Sequence, residues 1–379
     1  MKKLLASATA LSIGLYALGA QAQVVPGTAD PGLRQQQLKI ENRVPKVSNK
    51  PLIEVDKTTQ TKEIKGGLEF TLTSITLEGS TAIPQAELEP IYKDLIGTKI
   101  SVATLNKVAD DITSYYRNKG FILTRAVVPP QAIDKGEVKI RIVEGFIDSV
   151  TIQGDDAAND SLIKAYGDRI RASKPLDVAT LERYLLLMED LPGVEARAVL
   201  QASPTTPGAS DIVVNITRKA VDFSATVDNR GSRFLGPVQL SSTAAYNNLF
   251  GLNDQTQIRL LSTPLTFDEL FFGELRHEQQ LGSDGTKAVI SGSYIETRPE
   301  FNLTPFDIVG RSTAVSVGLT HPVVRSRREN LFINGDFTLR NSDLNSLDAN
   351  LSYDKTRVFG LSTSYDFVDS TSAINRAEL

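Results

Sequence analysis

Between Val221 and Phe367 the chain alternates apolar and polar residues at every second position. In Leu331–Arg340, for example, one side of the repeat is apolar and the other is mostly Asn, Asp and Thr. This period predicts β-strands with one apolar face, because successive strand side chains point to opposite sides. Runs of ~10 residues match tilted membrane strands, and Ser, Thr, Asn and Asp are typical of a wet barrel lumen. A soluble antiparallel sandwich also alternates, but strand length and polar composition favour a transmembrane barrel.

The pattern predicts about nine strands after residue 218, at ~10 residues per membrane-spanning strand. They are Val221–Asn229, Pro237–Asn247, Gln255–Thr263, Glu269–Gln279, Lys287–Glu296, Gly310–Thr320, Leu331–Arg340, Leu347–Tyr353 and Val358–Phe367. Antiparallel outer-membrane barrels have even strand numbers. An odd set of this size therefore predicts only the N-terminal part of a transmembrane β-barrel over 219–379.

Two smaller units with the same predicted order, β-α-α-β-β, precede the barrel. The first, 68–145, is predicted to contain strands Phe70–Leu77, Phe121–Val128 and Val138–Val143, with helices Ile83–Ile96 and Val102–Tyr116. The second, 146–218, is predicted to contain strands Ile147–Ile152, Val194–Gln201 and Asp211–Thr217, with helices Ser161–Arg171 and Leu176–Leu191. Ser101 is the expected N-cap of Val102–Tyr116 and Gly120 its stop. The fold class is thus α+β followed by all-β.

The N-terminus has the pattern of an export signal. Lys2 and Lys3 precede the apolar run Leu4–Leu18, and Ala20-Gln21-Ala22 offers a small-x-small cleavage site. These features predict a signal peptide over 1–22, with a membrane anchor as the alternative.

Residues 23–67 form a polar lead-in with one predicted helix, Leu33–Val44. Two interpretations stay open for this segment. It is either a disordered linker or a small helix that docks somewhere polar, such as a barrel lumen.

Composition narrows the function classes. The 379 residues include no cysteine, so a disulfide framework and thiolate chemistry are excluded. The net charge of -4 gives no nucleic-acid footprint. The two histidines, His277 and His321, are isolated, and no G-x-S-x-G elbow, P-loop or H-E-x-x-H motif occurs. We therefore predict a protein that is not an enzyme and has no cofactor or metal.

Four strings resemble those of a known family. Tyr115–Phe121, with Arg125 soon after, resembles the helix-to-strand junction of a POTRA (polypeptide-transport-associated) domain. Asp228–Gly231 resembles the end of that family's first barrel strand, and Asn248–Asp254 its first periplasmic turn. His321–Arg327 resembles a later periplasmic turn. Together with the order of the units, these strings resemble the two-partner secretion transporters, the outer-membrane haemolysin secretion/activation proteins.

The resemblance implies two periplasmic POTRA domains and a closed barrel with more strands than this chain supplies. No terminal aromatic residue of the type that ends such barrels occurs in Ser370–Leu379. We therefore expect the front portion of a longer protein, which does not form a working pore by itself. The implied function is recognition of an unfolded exoprotein by the POTRA domains and its secretion or activation through the pore. Outer-membrane lipid is the other implied partner, and a monomer is expected. The alternatives are a barrel assembly factor and a soluble periplasmic peptide-binding or scaffold protein.

Two groups of residues are candidates for partner contacts. Strand addition at the first unit would use a surface made of Tyr116, Phe121, Leu123, Arg125 and Val127, although Tyr116 also suits a packing role. The basic cluster Arg325, Arg327 and Arg328 is predicted to lie in a periplasmic turn. It is either a solvated turn or a contact with the POTRA domains or incoming substrate.

Overall fold

The computed structural model describes residues 27, 30–39, 53–55, 69–154, 160–264, 268–369, 371 and 373–379. The predicted signal peptide lies outside the described residues. In the described part of the chain, helices are too short or too polar to cross a bilayer.

The described part of the lead-in contains one helix and one strand. Helix α1 spans Pro31–Lys39 and strand β1 spans Ile53–Val55. The helix begins two residues before the predicted start at Leu33, and the rest of the predicted helix lies outside the described residues. For residues 31–39 the docked helix is confirmed, because α1 packs on three strands that lie within residues 286–346.

The first unit, module 1, is built on one long helix and a three-stranded sheet. Its elements are β2 (Glu69–Thr71), β3 (Ser74–Glu78), α2 (Gln85–Leu88), β4 (Lys99–Ser101), α3 (Val102–Asn118), β5 (Arg125–Val127) and β6 (Glu137–Val143). Strand β6 lies in the centre, parallel to β3 and antiparallel to β5. Strand β5 is therefore an edge strand.

Helix α3 agrees with its sequence signals at both ends. The Ser101 hydroxyl accepts a hydrogen bond from the Thr104 amide at 3.2 Å, and Gly120 has a φ of 98°. Such caps satisfy amides and carbonyls that have no partner inside the helix. The apolar stripe of α3, including Leu105 and Ile112, is completely buried against the sheet.

Three predictions for module 1 were wrong in detail. Phe70–Leu77 forms two strands rather than one. Ile83–Ile96 is not continuous, since α2 is followed by two short 3-10 turns, the first containing Pro90, which lacks the amide hydrogen for an α-helical bond. Strand β5 is shorter than predicted, because the residues before it form a turn. In this turn the Phe121 amide donates to the Tyr116 carbonyl and the Thr124 amide to the Phe121 carbonyl.

The second unit, module 2, follows its predicted elements closely. It contains β7 (Phe146–Gln153), α4 (Ser161–Ala172), α5 (Val178–Glu189), β8 (Val194–Ala202) and β9 (Ala209–Arg218). The sheet order is β1-β8-β9-β7, so the lead-in adds a parallel strand to the β8 edge of this module.

The rest of the described chain is one sheet of nine sequential antiparallel strands. They are β10 (Val221–Asp228), β11 (Gln239–Asn247), β12 (Asp254–Ser262), β13 (Leu270–Leu281), β14 (Thr286–Thr297), β15 (Ile308–Arg325), β16 (Glu329–Ser346), β17 (Ala349–Val368) and β18 (Ile374–Glu378). The first seven match predicted strands, with β15 and β16 longer than expected. The last two predicted strands were wrong, because they are a single strand, β17, and β18 was not predicted.

The two faces of this sheet differ as the alternation predicts. One face, here called outward, presents apolar side chains with no second sheet packed on them in the described structure; Phe223, Phe359 and Leu361 are at least 70 % exposed. The opposite, inward face carries Ser, Thr, Asn, Asp and Gln and receives α1. An apolar outer wall with a polar inner one is the arrangement of a membrane barrel and not of a sandwich. The prediction of an incomplete transmembrane barrel is thereby confirmed.

Candidate functional site

Module 2 is fixed to one end of the barrel wall by a buried ion pair. Arg325, at the end of β15, places Nε 2.7 Å and Nη2 2.8 Å from the two carboxylate oxygens of Asp190, just after α5. Its Nη1 donates to the Asn330 side chain at 3.0 Å. The Arg325 side chain is only 5 % exposed and that of Asp190 18 %. This bidentate geometry is the strong form of an arginine–carboxylate contact.

The other two arginines of the basic cluster differ from Arg325. The Arg327 amide donates to Glu182 of α5 at 3.1 Å, and its guanidinium lies 4.0 Å from the same carboxylate. The Arg328 side chain is exposed. Its backbone amide donates to the Ser326 hydroxyl at 3.3 Å, and its carbonyl accepts from the Val368 amide. Two of the three candidates therefore contact module 2 and one faces solvent.

Arg183 of α5 makes contacts that the sequence did not indicate. Its guanidinium donates to the carbonyls of Pro322, Val323 and Asp284, at 3.0 to 3.3 Å. These carbonyls lie on β15 and in the turn between β13 and β14, so one side chain joins two hairpins to the module. An isolated arginine on an amphipathic helix carries no local signal for such a role.

A third hairpin is attached through the other end of module 2. Arg218 lies 3.1 Å from Asp160 and 2.7 Å from the Asn253 side chain in the β11–β12 turn. The Asn253 amide nitrogen donates to Asp160 at 3.0 Å. Beside this cluster, burial raises the pKa of Tyr166 to about 12. Three successive turns at one end of the wall are thus held by a single module.

The candidate surface on module 1 divides into a core part and an edge part. Tyr116 is completely buried, and its hydroxyl lies 2.7 Å from Ser80 and 3.0 Å from Glu144. Burial raises the pKa of Tyr116 to about 12. Burial alone would raise the pKa of Glu144, but hydrogen bonds from Thr81, Ala82 and Tyr116 hold it below its ordinary value. Tyr116 is therefore placed to hold module 1 together rather than to touch a partner.

The remaining candidates surround β5. Phe121 packs edge-on against Tyr116, and Leu123 packs against the core of module 2. Arg125 is exposed and Val127 half-buried on the edge strand itself. The Ala126 amide between them donates to the Thr113 hydroxyl of α3 at 2.9 Å. The open edge of β5 is thus short, and one of its amides already has an internal partner.

Helix α1 lies on the inward face of the wall and is held mainly by polar contacts. Gln35 is buried, donates to Ser293 at 2.9 Å and accepts from Ser312 at 2.7 Å. Arg259 donates to the Leu38 carbonyl at 3.0 Å. The Leu38 side chain packs against a small apolar cluster on the inward face, which includes Phe272.

The described residues contain no group of three or more potential ligands that could hold a metal ion. His277 and His321 lie on the outward face and bond to Thr256 and Thr286 through Nδ1.

Comparisons with known proteins agree with this architecture. Residues 70–145 match a model described as POTRA domain, ShlB-type, and residues 208–373 match haemolysin secretion/activation protein ShlB/FhaC/HecB. The chain is 25% identical to the heme/hemopexin transporter protein HuxB of Haemophilus influenzae, over 93% of this chain and 65% of that protein. It is 27% identical to the outer membrane transporter CdiB of Dickeya dadantii, over 49% of this chain and 33% of that protein.

Among solved structures, CdiB from Escherichia coli superposes with a TM-score of 0.67 at 21% sequence identity. That superposition covers 88% of this chain and 63% of CdiB. The HuxB proteins match most of this chain, but the chain spans less than two thirds of their length.

Proposed function

Because the chain belongs to the haemolysin secretion/activation (ShlB/FhaC/HecB) family, we propose that it works as an outer-membrane translocator of two-partner secretion. Its POTRA modules lie in the periplasm and receive an unfolded exoprotein, which then passes along the polar inner wall of the barrel. The protein acts as a monomer with outer-membrane lipid around it.

One observation carries this proposal: the nine-stranded wall has an apolar outward face and a polar inward face, and module 2 is docked on one end. A polypeptide released from the modules therefore meets the polar face directly. Helix α1 lies on that face, so passage requires α1 to leave its contacts with Ser293 and Ser312.

We further propose that the units are 1–22, 23–67, 68–145, 146–218 and 219–379. The divisions after 145 and 218 are supported by the ends of elements, since β6 ends at Val143 and β7 begins at Phe146, while β9 ends at Arg218 and β10 begins at Val221.

Client capture takes place at the open edge of β5, with Phe121, Leu123, Arg125 and Val127 around it and Tyr116 holding the strand in place from beneath. Strand addition suits an extended client of variable sequence, because main-chain bonds supply most of the affinity. The Ala126 amide is then the group for which the client and Thr113 compete.

Secretion tests the function as a whole. The gene carrying this chain is deleted and then restored in cells that produce a large secreted protein. The N-terminal domain of that secreted protein is the candidate client. The proposal expects the exoprotein in the medium only when the transporter is restored. Unchanged export in the deletion strain contradicts the proposal.

A pair of variants tests the capture site on the complete chain. Ala126→Pro removes the amide on the side of β5 away from β6, at an edge position where proline is tolerated. Thr113→Val removes the same internal hydrogen bond but leaves the amide in place. We expect A126P to weaken binding of an unfolded secretion-domain peptide at least tenfold and T113V to keep or tighten it. Equal affinities for both variants would rule out strand addition at β5.

A further inference from the structure

The outward face of the wall ends in a band of charged side chains, at the end opposite to module 2. These residues lie on four neighbouring strands or just after them: Glu296, Arg298, Arg311, Asp343, Lys355 and Arg357. Strand register places Arg357 in the last apolar row of the belt, and Lys355, Asp343, Arg311 and Glu296 in the rows beyond it. Arg357 is paired with Leu339, which is paired in turn with Val315.

The far rim, defined by these six residues, has more positive than negative groups. Glu296 is shared between Arg298 at 2.8 Å and Arg311 at 3.3 Å. Asp343, opposite Arg311 in register, accepts from Asn345 at 3.0 Å. The far rim therefore carries four cations and two carboxylates.

Lys355 and Arg357 are the two cations of the far rim that have no carboxylate partner. Within the part of the chain that the structure describes, neither forms an ion pair. Arg357 is held by the carbonyls of Arg340 and Thr356, at 3.0 and 2.7 Å, and by the Asn341 side chain at 3.1 Å. Lys355 lies 5.1 Å from the centre of the Tyr353 ring. Both charges are thus oriented on the outward face and lack a counter-ion.

The opposite rim differs in chemistry. The outward positions near module 2 include His277, His321 and Tyr365, and the two histidines bond to threonines. The polar side chains at the two ends of the apolar belt therefore differ.

We propose that the far rim binds the phosphate groups of phosphorylated glycolipid in the outer leaflet of the membrane. This inference rests on the proposed function, which places module 2 in the periplasm and the far rim at the cell surface. Two features favour this occupant. The rim continues the apolar belt, so acyl chains on the belt bring a headgroup to this height, and unpaired guanidinium and ammonium groups complement phosphate.

The test measures binding of fluorescent bisphosphorylated lipid A to the complete chain in neutral detergent micelles. We expect the double variant Lys355→Gln/Arg357→Gln to weaken binding at least tenfold, and added salt to weaken binding to the unchanged chain. The matched control replaces two exposed cations on the module side, Arg328→Gln and Lys164→Gln of α4, and so removes the same charge. It changes the affinity less than twofold. If the double variant does not fold, the single variants Lys355→Gln and Arg357→Lys are measured instead. We expect Lys355→Gln to weaken lipid A binding and Arg357→Lys, which keeps the charge, to leave it unchanged.

Two further probes identify the ligand. Inorganic phosphate alone gives no saturable binding, and phosphatidylglycerol micelles bind more weakly than lipid A. Equal affinity of the double variant and the unchanged chain overturns the inference, as does an equal loss in the control. Failure of the unchanged chain to reach the outer-membrane fraction refutes the proposed function instead, whereas membrane-embedded chain without lipid A binding refutes only this inference.

Discussion

Replacing Arg325 with Gln should loosen the attachment of module 2 to the barrel wall. The substitution removes the bidentate contact with Asp190 and leaves a carboxylate that is only 18 % exposed without its partner. Breaking one side of a buried ion pair costs about 3–5 kcal/mol. We take the lower end, about 3 kcal/mol, because Asp190 keeps some access to water. At 1.4 kcal/mol per factor of ten, the equilibrium constant for opening the junction rises about 100-fold.

Amide hydrogen exchange measures this equilibrium in the unlabelled protein. Local opening of the docked segment exposes amides in proportion to its population. The R325Q variant should therefore speed exchange about 100-fold in the last turn of α5 and in Ser326–Arg328, with little change in β6. The control is R327Q in the same turn, whose guanidinium lies 4.0 Å from Glu182 on partly exposed side chains. Such pairs are worth at most about 1 kcal/mol, so the expected change is below about sixfold.

A double-mutant cycle completes the test. If Asp190 and Arg325 stabilise the junction through each other, D190N/R325Q should cost at least about 2 kcal/mol less than the sum of the two single changes. Additive effects, or equal acceleration by R325Q and R327Q, would refute the argument that this ion pair holds the module.

Three further predictions use the same chain. Q35M should expose α1 to protease much faster than Q36M, because Gln35 bonds to Ser293 and Ser312 whereas Gln36 is exposed; equal cleavage rates would contradict the docking described above. The free energy of unfolding of module 1 should hold up to about pH 10 and fall between about pH 10 and 12, because the pKa of Tyr116 rises from an unfolded value of ~10 to about 12 in the folded state. Y116F should remove part of that fall in a pH series of denaturation curves, and an identical profile would contradict it. G154A should destabilise module 2 by several times the about 1 kcal/mol expected of G97A, because a Cβ at Gly154 meets the Ile216 carbonyl at 1.9 Å while nothing lies within 4 Å at Gly97; thermal melting compares the two, and equal costs would contradict the clash.

Alternation and capping predicted most of the strands and α3, because each of these signals is local. Gly120 stops α3 with the positive φ that was expected of it. The break between β16 and β17 was misplaced for a local reason as well. Leu347 and Asp348 form the turn with φ of 49° and 63°, and leucine carries no turn signal. The polar run Asp354–Arg357 then resembled a loop, although it continues β17 beyond the apolar belt.

The contacts of module 2 and α1 with the barrel wall could not be predicted in this way. Arg325 was a candidate for contact, but its partner Asp190 lies 135 residues earlier in the chain. Arg183 had no signal at all, because its acceptors are backbone carbonyls that any sequence supplies. The position of α1 on the inward wall likewise depends on serines contributed by two strands far along the chain.

The polar character of the α1 contacts has a consequence for timing. A hydrogen bond to the wall is exchanged for one to water when the helix departs, at a net cost of about 0.5–1.5 kcal/mol each, so the obstruction is reversible rather than permanent. The same chain continues from α1 to β1, which is paired with module 2. In the proposed function, a departed helix therefore stays tethered to module 2. Its return then competes with the client at an effective local concentration that the cell's protein level does not alter.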